Sequence, residues 1–229
     1  MSTDPARPLP RAPVVYPESD GEPTSDNTEQ FDAIVTLREN LNRVLPDAFV
    51  AGNILWYPVE GDPTTRIGPD VLVALGRPKG PRGSYLQWEE GGHVPDVVFE
   101  AWSPKNRFVH QLKKLRFYDK HGIVEFWTWD LVDRIFAAFV RREGSLEPVS
   151  TEDGWTSPLL GVHFEVVQGD LVITGPDGQR FRSMLEVQQD EIAAREAAAS
   201  AARERDDAAR ERDALRQRLL ALGVDPDAT

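Results

Sequence analysis

The chain has 229 residues, which is enough for one domain with a substantial hydrophobic core and further segments around it. It contains no cysteine and four histidines, so disulfides and thiolate metal sites are excluded and a zinc enzyme is disfavoured. A net charge of −12 argues against broad electrostatic affinity for nucleic acid, and the lack of a long apolar stretch predicts a cytoplasmic protein with no membrane span.

The N-terminal part of the chain changes character near residue 28. Residues 1–27 carry six prolines and show no hydrophobic period, which predicts a disordered leader. From there to residue 45, apolar residues recur at steps of mostly three or four. This spacing predicts a helix that is capped by Asp26 or Asn27 and ended by Pro46.

Short apolar runs that are typical of strands follow the first helix. We predict strands at 49–57, 70–75, 96–102, 123–131 and 134–141, and shorter ones at 163–167, 170–174 and 179–183. A helix is predicted over 107–121, with Gly122 as its stop. The Gly- and Pro-rich segment 76–92 is predicted to be a long loop, a kind of segment that often carries function.

The segment from 184 to 222 has a different composition, rich in Ala, Arg and Glu and without Gly or Pro. It predicts one long charged helix, followed by a short tail at 223–229. Two near-repeats lie seven residues apart, but charged residues fall in one of the two core rows that a coiled coil requires. A lone solvated helix and a weak homodimer through a coiled coil both remain open.

Two Pro-Asp pairs compete for the role of metal-binding aspartate, at 69–70 and at 95–96. Asp96 and Glu100 share one face of one strand, but four residues at ~3.3 Å each separate them by about 13 Å. One Mg²⁺ needs its carboxylates within roughly 4–5 Å of each other, so we prefer Asp70 with Glu100 and expect Asp96 to cap the strand start.

Glu100 stands out because it interrupts the apolar run VVFEAW. A buried carboxylate is costly unless a metal, a cation or strong hydrogen bonds compensate it. The alternative is an ordinary glutamate on the solvent face of an edge strand.

A lysine on the following helix completes the predicted site. Phe108, Leu112 and Leu115 predict the packing stripe of this helix, and Lys114 lies beside that stripe. From there the ammonium could reach over the sheet to orient or deprotonate a water, or to neutralise a phosphate. Lys113 is expected to point more nearly to solvent.

The order of these motifs resembles that of a nuclease family. The sequence is similar to the PD-(D/E)XK pattern of restriction-endonuclease-like nucleases. It has Pro69-Asp70, then a gap, then Glu100, and Trp102 stands where that pattern has its lysine. The segment PDVVFEAWSP, the spacing K-x-x-x-Y at 114–118 and GIVEFW at 122–127 resemble the Uma-type branch of these nucleases, over roughly residues 28–175. In that branch the lysine is understood to lie on the following helix, which is the position of Lys114.

The resemblance implies an α/β fold over residues 28–183, with a mixed sheet flanked by helices, followed by the long C-terminal helix. It also implies an endonuclease that hydrolyses DNA with Mg²⁺ or Mn²⁺. On this hypothesis Asp70, Glu100 and the carbonyl of Ala101 hold the metal. Lys114 is the third catalytic residue beside the two acids.

Further residues are candidates for contact with the substrate. These are Arg77, Lys79 and Arg82 in the long loop and His110, Lys113 and Tyr118 on the second helix. The loop cations could grip a phosphate backbone, and Trp88 in the same loop could stack on a base. Such nucleases often place a glutamate on the first helix, for which Glu29 and Glu39 are the candidates.

Two other functions remain open. The acidic balance and the absence of a helix-turn-helix motif favour an inactive nuclease-fold scaffold that recruits partners through its C-terminal helix. A nuclease that acts on RNA or branched substrates is the second. A homodimer, through the nuclease domain or through the C-terminal helix, fits each of these hypotheses.

Overall fold

The computed structural model of the protein describes residues 14–19, 21, 25, 27–104 and 108–222. The chain divides into two compact units, the first up to Phe181 and the second from Arg182 onward. The elements of the first unit are, in chain order, α1 (Thr28–Val44), β1 (Ala48–Gly52), β2 (Leu55–Tyr57), β3 (Val71–Leu75), β4 (Ser84–Leu86), β5 (Val97–Trp102), α2 (Phe108–His121), β6 (Glu125–Asp130), β7 (Ile135–Arg142), β8 (Ser145–Val149), β9 (Trp155–Thr156), β10 (His163–Val167) and β11 (Asp170–Thr174). The second unit contains α3 (Met184–Ala221).

A six-stranded mixed sheet organises the first unit. Its strand order is β1-β3-β5-β6-β7-β8. Strands β5 and β6 are parallel, and the other neighbours in the sheet are antiparallel. Parallel neighbours need a crossover connection, which α2 provides between β5 and β6. The mixed sheet with its helices, together with the long C-terminal helix, confirms the predicted fold class.

Hydrophobic clusters cover both faces of this sheet. On one face α1 packs over the strands, and the small sheet β11-β10-β9 adds residues such as Phe164 to the same cluster. On the other face, α2 contributes Tyr118, and the parallel pair of β2 and β4 contributes Trp56 and Tyr85. Since successive strand residues point to opposite faces, Glu100 of β5 projects toward the face that α2 covers.

Helix α1 begins and packs where the sequence pattern predicts. The Asn27 side-chain oxygen accepts a hydrogen bond from the Gln30 amide at 2.8 Å, which confirms Asn27 as a cap. The other predicted cap, Asp26, lies outside the described residues. The buried apolar positions Ile34, Leu37 and Leu41 recur at steps of three and four, so one stripe of the helix faces the sheet.

Two of the predicted strands differ in the structure. The run 49–57 is divided between β1 and β2, because the chain turns at Asn53, whose φ of 51° lies in the left-handed region. The prediction of a strand at 179–183 is wrong, since this segment makes one isolated bridge, between Thr174 and Arg180. Strand β8 was not predicted; it lies at the sheet edge, where Pro148 is tolerated.

The packing face of α2 differs from the predicted stripe. Phe108 is 70% exposed, whereas Tyr118 is buried. Leu115 and Phe117 are partly buried against the same cluster as Tyr118. Phe108 shares the helical period but lies in the first turn, where it does not join that cluster. The helix therefore turns the side of Lys114 and Tyr118, four residues apart, toward the sheet.

Part of the segment before α1 contacts the domain. The Tyr57 hydroxyl donates a hydrogen bond to the Pro17 carbonyl at 2.7 Å. The ring centroids of Tyr16 and Trp88 are 4.9 Å apart. These contacts differ from the disorder that was predicted for the whole of residues 1–27, because aromatic side chains give this short piece partners. Residues 1–13 lie outside the described residues.

The second unit is one helix that begins with a capping box. The Ser183 hydroxyl accepts from the Glu186 amide at 3.2 Å, and a Glu186 carboxylate oxygen accepts from the Ser183 amide at 2.7 Å. No residue of α3 is buried. Within the described ranges, no helix combines the length and apolar character that crossing a bilayer requires.

Candidate active site

The two predicted metal-binding acids lie on neighbouring strands. Asp70 immediately precedes β3, and Glu100 lies in β5, which pairs antiparallel with β3 through Val71 and Phe99. An Asp70 carboxylate oxygen accepts a hydrogen bond from the Ala101 amide at 2.8 Å, which holds the aspartate beside the end of β5. The carboxyl groups of Asp70 and Glu100 lie close enough for each to shift the pKa of the other. The structure therefore brings together the pair that the spacing argument preferred.

Asp96 caps the start of β5, as the sequence predicts. Its carboxylate accepts from the Leu75 amide at 2.7 Å and lies 2.9 Å from the His93 ring nitrogen Nε2. Both contacts fix the start of β5, at the opposite end of that strand from Glu100. This aspartate serves the strand end and takes no part in the acid pair.

Glu100 is fully buried, and both of its carboxylate oxygens have a partner. The Lys114 ammonium donates to Oε2 at 2.6 Å. The Tyr118 hydroxyl donates to Oε1 at 2.5 Å. Glu100 is 0% exposed, so the solvent-face alternative is wrong for this residue. An ion pair and a hydrogen bond offset the cost of taking this carboxylate out of water.

Lys114 connects the buried acid to the surface. Its side chain is 25% exposed, and its ammonium also donates to the Gly68 carbonyl at 3.3 Å. The ammonium lies 5.6 Å from the centroid of the Trp102 ring, within the range of a cation–π contact. In the PD-(D/E)XK pattern the strand position of Trp102 carries a lysine. Here the ammonium near that position belongs to Lys114 of α2.

Gln30 belongs to the site, although the sequence analysis did not propose it. Its side-chain nitrogen donates to the Ala101 carbonyl at 2.8 Å, and its side chain also favours the ionised form of Asp70. Gln30 is 6% exposed. The sequence did contain a signal for this residue. Gln30 lies four positions before Ile34, so it is a polar residue on the buried stripe of α1, just as Glu100 is a polar residue in a buried strand.

The two candidates for a first-helix glutamate lie elsewhere. Glu29 is on the surface and pairs with Arg134 at 2.5 Å. Glu39 pairs with its neighbour Arg38. Neither contacts the acid pair in the described contacts, and Gln30 takes the place on α1 that faces the site.

Burial governs the protonation of the acid pair. It raises the pKa of Glu100 to about 8, against the opposing effect of the Lys114 ammonium. It also raises the pKa of Asp70, where the same ammonium and the Ala101 amide oppose the rise. Two carboxyl groups this close do not both ionise readily, so the pair retains a proton near neutral pH unless a cation takes its place.

The donor set fits a hard divalent cation. Among the described residues, no group of three His, Cys, Asp or Glu side chains could hold a metal ion. Two carboxylates and a main-chain carbonyl are nevertheless all oxygen donors, which Mg²⁺ and Mn²⁺ prefer, and Mg²⁺ usually keeps several waters. The Ala101 carbonyl accepts one hydrogen bond from Gln30, and a carbonyl has a second lone pair for a metal.

The three loop residues that were predicted to contact substrate lie in two environments. Arg77 and Arg82 both pair with the buried carboxylate of Glu90, at 3.0 and 2.6 Å. Lys79 is exposed, and its ammonium donates to the Asn42 carbonyl at 2.5 Å. The arginines therefore shape the loop, and Lys79 is the cation of the three that is most accessible.

The three predicted contacts on α2 also differ in position. His110 and Lys113 are exposed, so both are open to a ligand. Tyr118 is 0% exposed and points at Glu100. Its expected contact with substrate is therefore corrected to a hydrogen bond to Glu100.

Comparisons with known proteins identify a family for this chain. A family model named Uma2, with the description "putative restriction endonuclease", matches residues 18–171. Solved structures also match, among them a putative nuclease from Anabaena variabilis at 18% sequence identity, with a TM-score of 0.43. That alignment covers 58% of this chain and 74% of the other. No curated protein matches the sequence significantly.

Proposed function

We propose that this chain, which belongs to the Uma2 family of restriction endonucleases, hydrolyses phosphodiester bonds in DNA with Mg²⁺ or Mn²⁺. The observation that carries the proposal is the fully buried Glu100, which accepts a hydrogen bond from Lys114 and has the Asp70 carboxyl group close enough to shift its pKa. A buried acid pair beside one cation and a main-chain carbonyl has little structural purpose, because apolar residues would fill the same space at equal or lower cost. Strongly perturbed acids of this kind concentrate at functional sites.

Each residue has a definite part in this proposal. Asp70, Glu100 and the Ala101 carbonyl would hold the cation, which when bound lowers the pKa of a water and offsets charge on the scissile phosphate. Gln30 and the Ala101 amide hold the acid pair in place. Lys114, at the border between Glu100 and solvent, would place its positive charge beside the phosphate and the attacking water.

A calorimetric titration with Mn²⁺ tests the proposal at the level of the metal. We expect the full chain to bind the cation, and we expect Asp70→Asn to lose binding because one of the two carboxylates is gone. Asp96→Asn is the matched control, since it changes the second Pro-Asp pair and leaves the site intact. Equal binding by the two variants, or no binding by the unmodified chain, would contradict the proposal.

An inactive scaffold is the second candidate, and one feature of α3 favours it. Four leucines near the end of this otherwise charged helix are at least 39% exposed; they are Leu215, Leu219, Leu220 and Leu222. Such a cluster is typical of a surface that another helix covers, including that of a second copy. Sedimentation velocity of the full chain and of Leu215→Asp tests self-association. A dimer that the substitution dissociates would support a homodimer through α3.

A further inference from the structure

A groove beside the acid pair suggests which form of substrate the protein takes. We propose that this groove binds an unpaired strand of DNA and leads it to the acid pair, an inference that rests on the proposed function. The groove has a volume of about 640 Å³ and runs between α1, the edge strand β1 with the turn after it, and residues 79–83 of the long loop.

One end of the groove lies beside the main chain of Asp70. The Asn53 amide, in the groove wall, donates to the Asp70 carbonyl at 3.1 Å. Phe31, also in the wall, directly follows Gln30, whose side chain reaches both Ala101 and Asp70. On the proposal, a strand that leaves the groove at this end passes the Asp70 main chain on its way to the two carboxylates.

The groove is a locally positive part of an acidic chain. Arg38, Lys79 and Arg82 line it; Arg38 pairs with Glu39, which also lines the groove, so Lys79 and Arg82 supply its positive charge. Glu90 lies behind Arg82 and offsets the charge of one of two arginines, since Arg77 shares it. In a chain with a net charge of −12, this gathering of cations is suited to phosphates.

The groove also offers an aromatic surface. Phe31, in the first turn of α1, is 48% exposed. Its ring therefore presents apolar surface to water and does not belong to the hydrophobic core. Phe49 also lines the groove, but it is buried and Arg82 lies over its ring, 3.9 Å from the centroid, so Phe31 is the ring that is open to a base. Cations that follow a backbone, combined with aromatic faces on which bases stack, are the usual means of binding single strands.

The size of the groove favours one strand over two. Its volume of about 640 Å³ is that of a pocket for a small ligand, enough for a short stretch of single strand. A duplex keeps its bases paired and stacked and so offers none of them to the Phe31 ring. On this inference the preferred substrate has an unpaired segment beside the cleavage point, as at an overhang, a flap or a bubble.

Fluorescence anisotropy of the full chain in EDTA, with labelled oligothymidylate and with a blunt duplex of equal length, tests the inference. We expect the single strand to bind about tenfold or more tightly than the duplex. Lys79→Glu should weaken single-strand binding and reduce the slope of log affinity against log salt by about 0.7 for one lost phosphate contact. Phe31→Ala should weaken the same binding at least about fivefold, because a stacked base is lost.

Arg142→Glu is the matched control, since it reverses one charge at an exposed residue of β7 that does not line the groove. It should change single-strand binding by less than about twofold. Equal affinity for both probes, or equal weakening by Lys79→Glu and Arg142→Glu, would overturn the inference.

The failure of this inference is distinguishable from that of the proposed function. If the chain cleaves a duplex in Mg²⁺ and Lys79→Glu cleaves it equally well, the nuclease proposal stands and the groove has no part in binding substrate. If the strand preference and its loss in Lys79→Glu are observed but no substrate is cleaved, the groove assignment stands and the proposed activity fails.

Discussion

At the scale of single residues, the site depends on one glutamate in the wrong place for an ordinary strand. Glu100 lies in the middle of a completely buried strand, with Lys114 on one oxygen and Tyr118 on the other. Its neighbour Asp70 is held by the Ala101 amide. These contacts keep the carboxyl groups positioned before any ligand arrives, which reduces the reorganisation that binding and catalysis require.

The first prediction concerns Tyr118→Phe. The Tyr118 hydroxyl favours the ionised form of Glu100, so its loss should raise the pKa of that carboxyl further. We expect the acidic limb of the cleavage rate against pH to move to higher pH, and folding stability to fall by about 1.5–3 kcal/mol. Tyr85→Phe is the control, because the Tyr85 hydroxyl is bonded to the His93 carbonyl, away from the site. An unshifted profile in Tyr118→Phe would show that the hydroxyl does not tune Glu100.

The second prediction concerns Lys114→Met. This change keeps the length of the side chain and removes the charge, so we expect cleavage to fall about 100-fold or more. The fold should persist, since Glu100 can hold a proton once the ammonium is gone. Lys120→Met, at an exposed position of the same helix, should cleave normally. Similar rates for both variants would remove Lys114 from the mechanism, and circular dichroism checks that both remain folded.

At the scale of elements, local patterns predicted more than long-range contacts. The period of apolar residues located α1, and the apolar runs located β3, β5 and β6. The acid pair was predictable because 3.3 Å per residue rules out two acids four residues apart in one strand. The bond from Gln30 to Ala101 joins residues 71 positions apart, and no local pattern carries such a contact. The turn at Asn53 was missed because apolar residues flank Gly52 and Asn53 on both sides, and the whole segment was taken as one strand.

The third prediction tests the junction between α1 and the site. Gln30→Leu keeps the size of the side chain but removes its bond to Ala101 and its effect on Asp70, so both metal affinity and cleavage should fall. A buried carbonyl loses its partner, and we expect a loss of about 1–3 kcal/mol in stability. Glu29→Leu, on the preceding exposed position, should bind Mn²⁺ normally. The opposite result would restore Glu29 as the first-helix residue of the site.

At the scale of the whole molecule, buried acids make stability depend on pH. The pKa of Glu100 rises to about 8 on folding, from 4.5, and burial also raises those of Asp70 and Glu125. These groups hold protons more tightly in the folded chain. Their contribution to stability is therefore complete below the pKa of the unfolded chain and is lost as pH rises toward the folded value.

The fourth prediction follows for the protein without divalent cations. Its melting temperature should decrease between about pH 5 and about pH 8, and Glu100→Gln should make that decrease smaller because the glutamine does not ionise. Differential scanning fluorimetry of both proteins across this range measures the difference. Parallel curves would show that Glu100 does not retain a proton in the folded state.

The chain as a whole is acidic, and the positive groups that a nuclease needs are gathered locally. Lys114 lies at the acid pair, and Arg38, Lys79 and Arg82 line the groove beside it. Net charge averages over the acidic remainder of the chain, so it does not describe the local charge at the acid pair or in the groove. The position of each charge in the fold carries the information that the net charge conceals.

Cleavage of DNA in Mg²⁺ by the unmodified chain, by Glu100→Gln and by Glu125→Gln tests the central claim most directly. Glu125 is the matched control, a second buried glutamate that lies in the neighbouring strand and bonds Ser157 and Trp127. We predict that the unmodified chain and Glu125→Gln cleave and that Glu100→Gln, folded by circular dichroism, does not. Cleavage by Glu100→Gln at the rate of the unmodified chain would contradict the account.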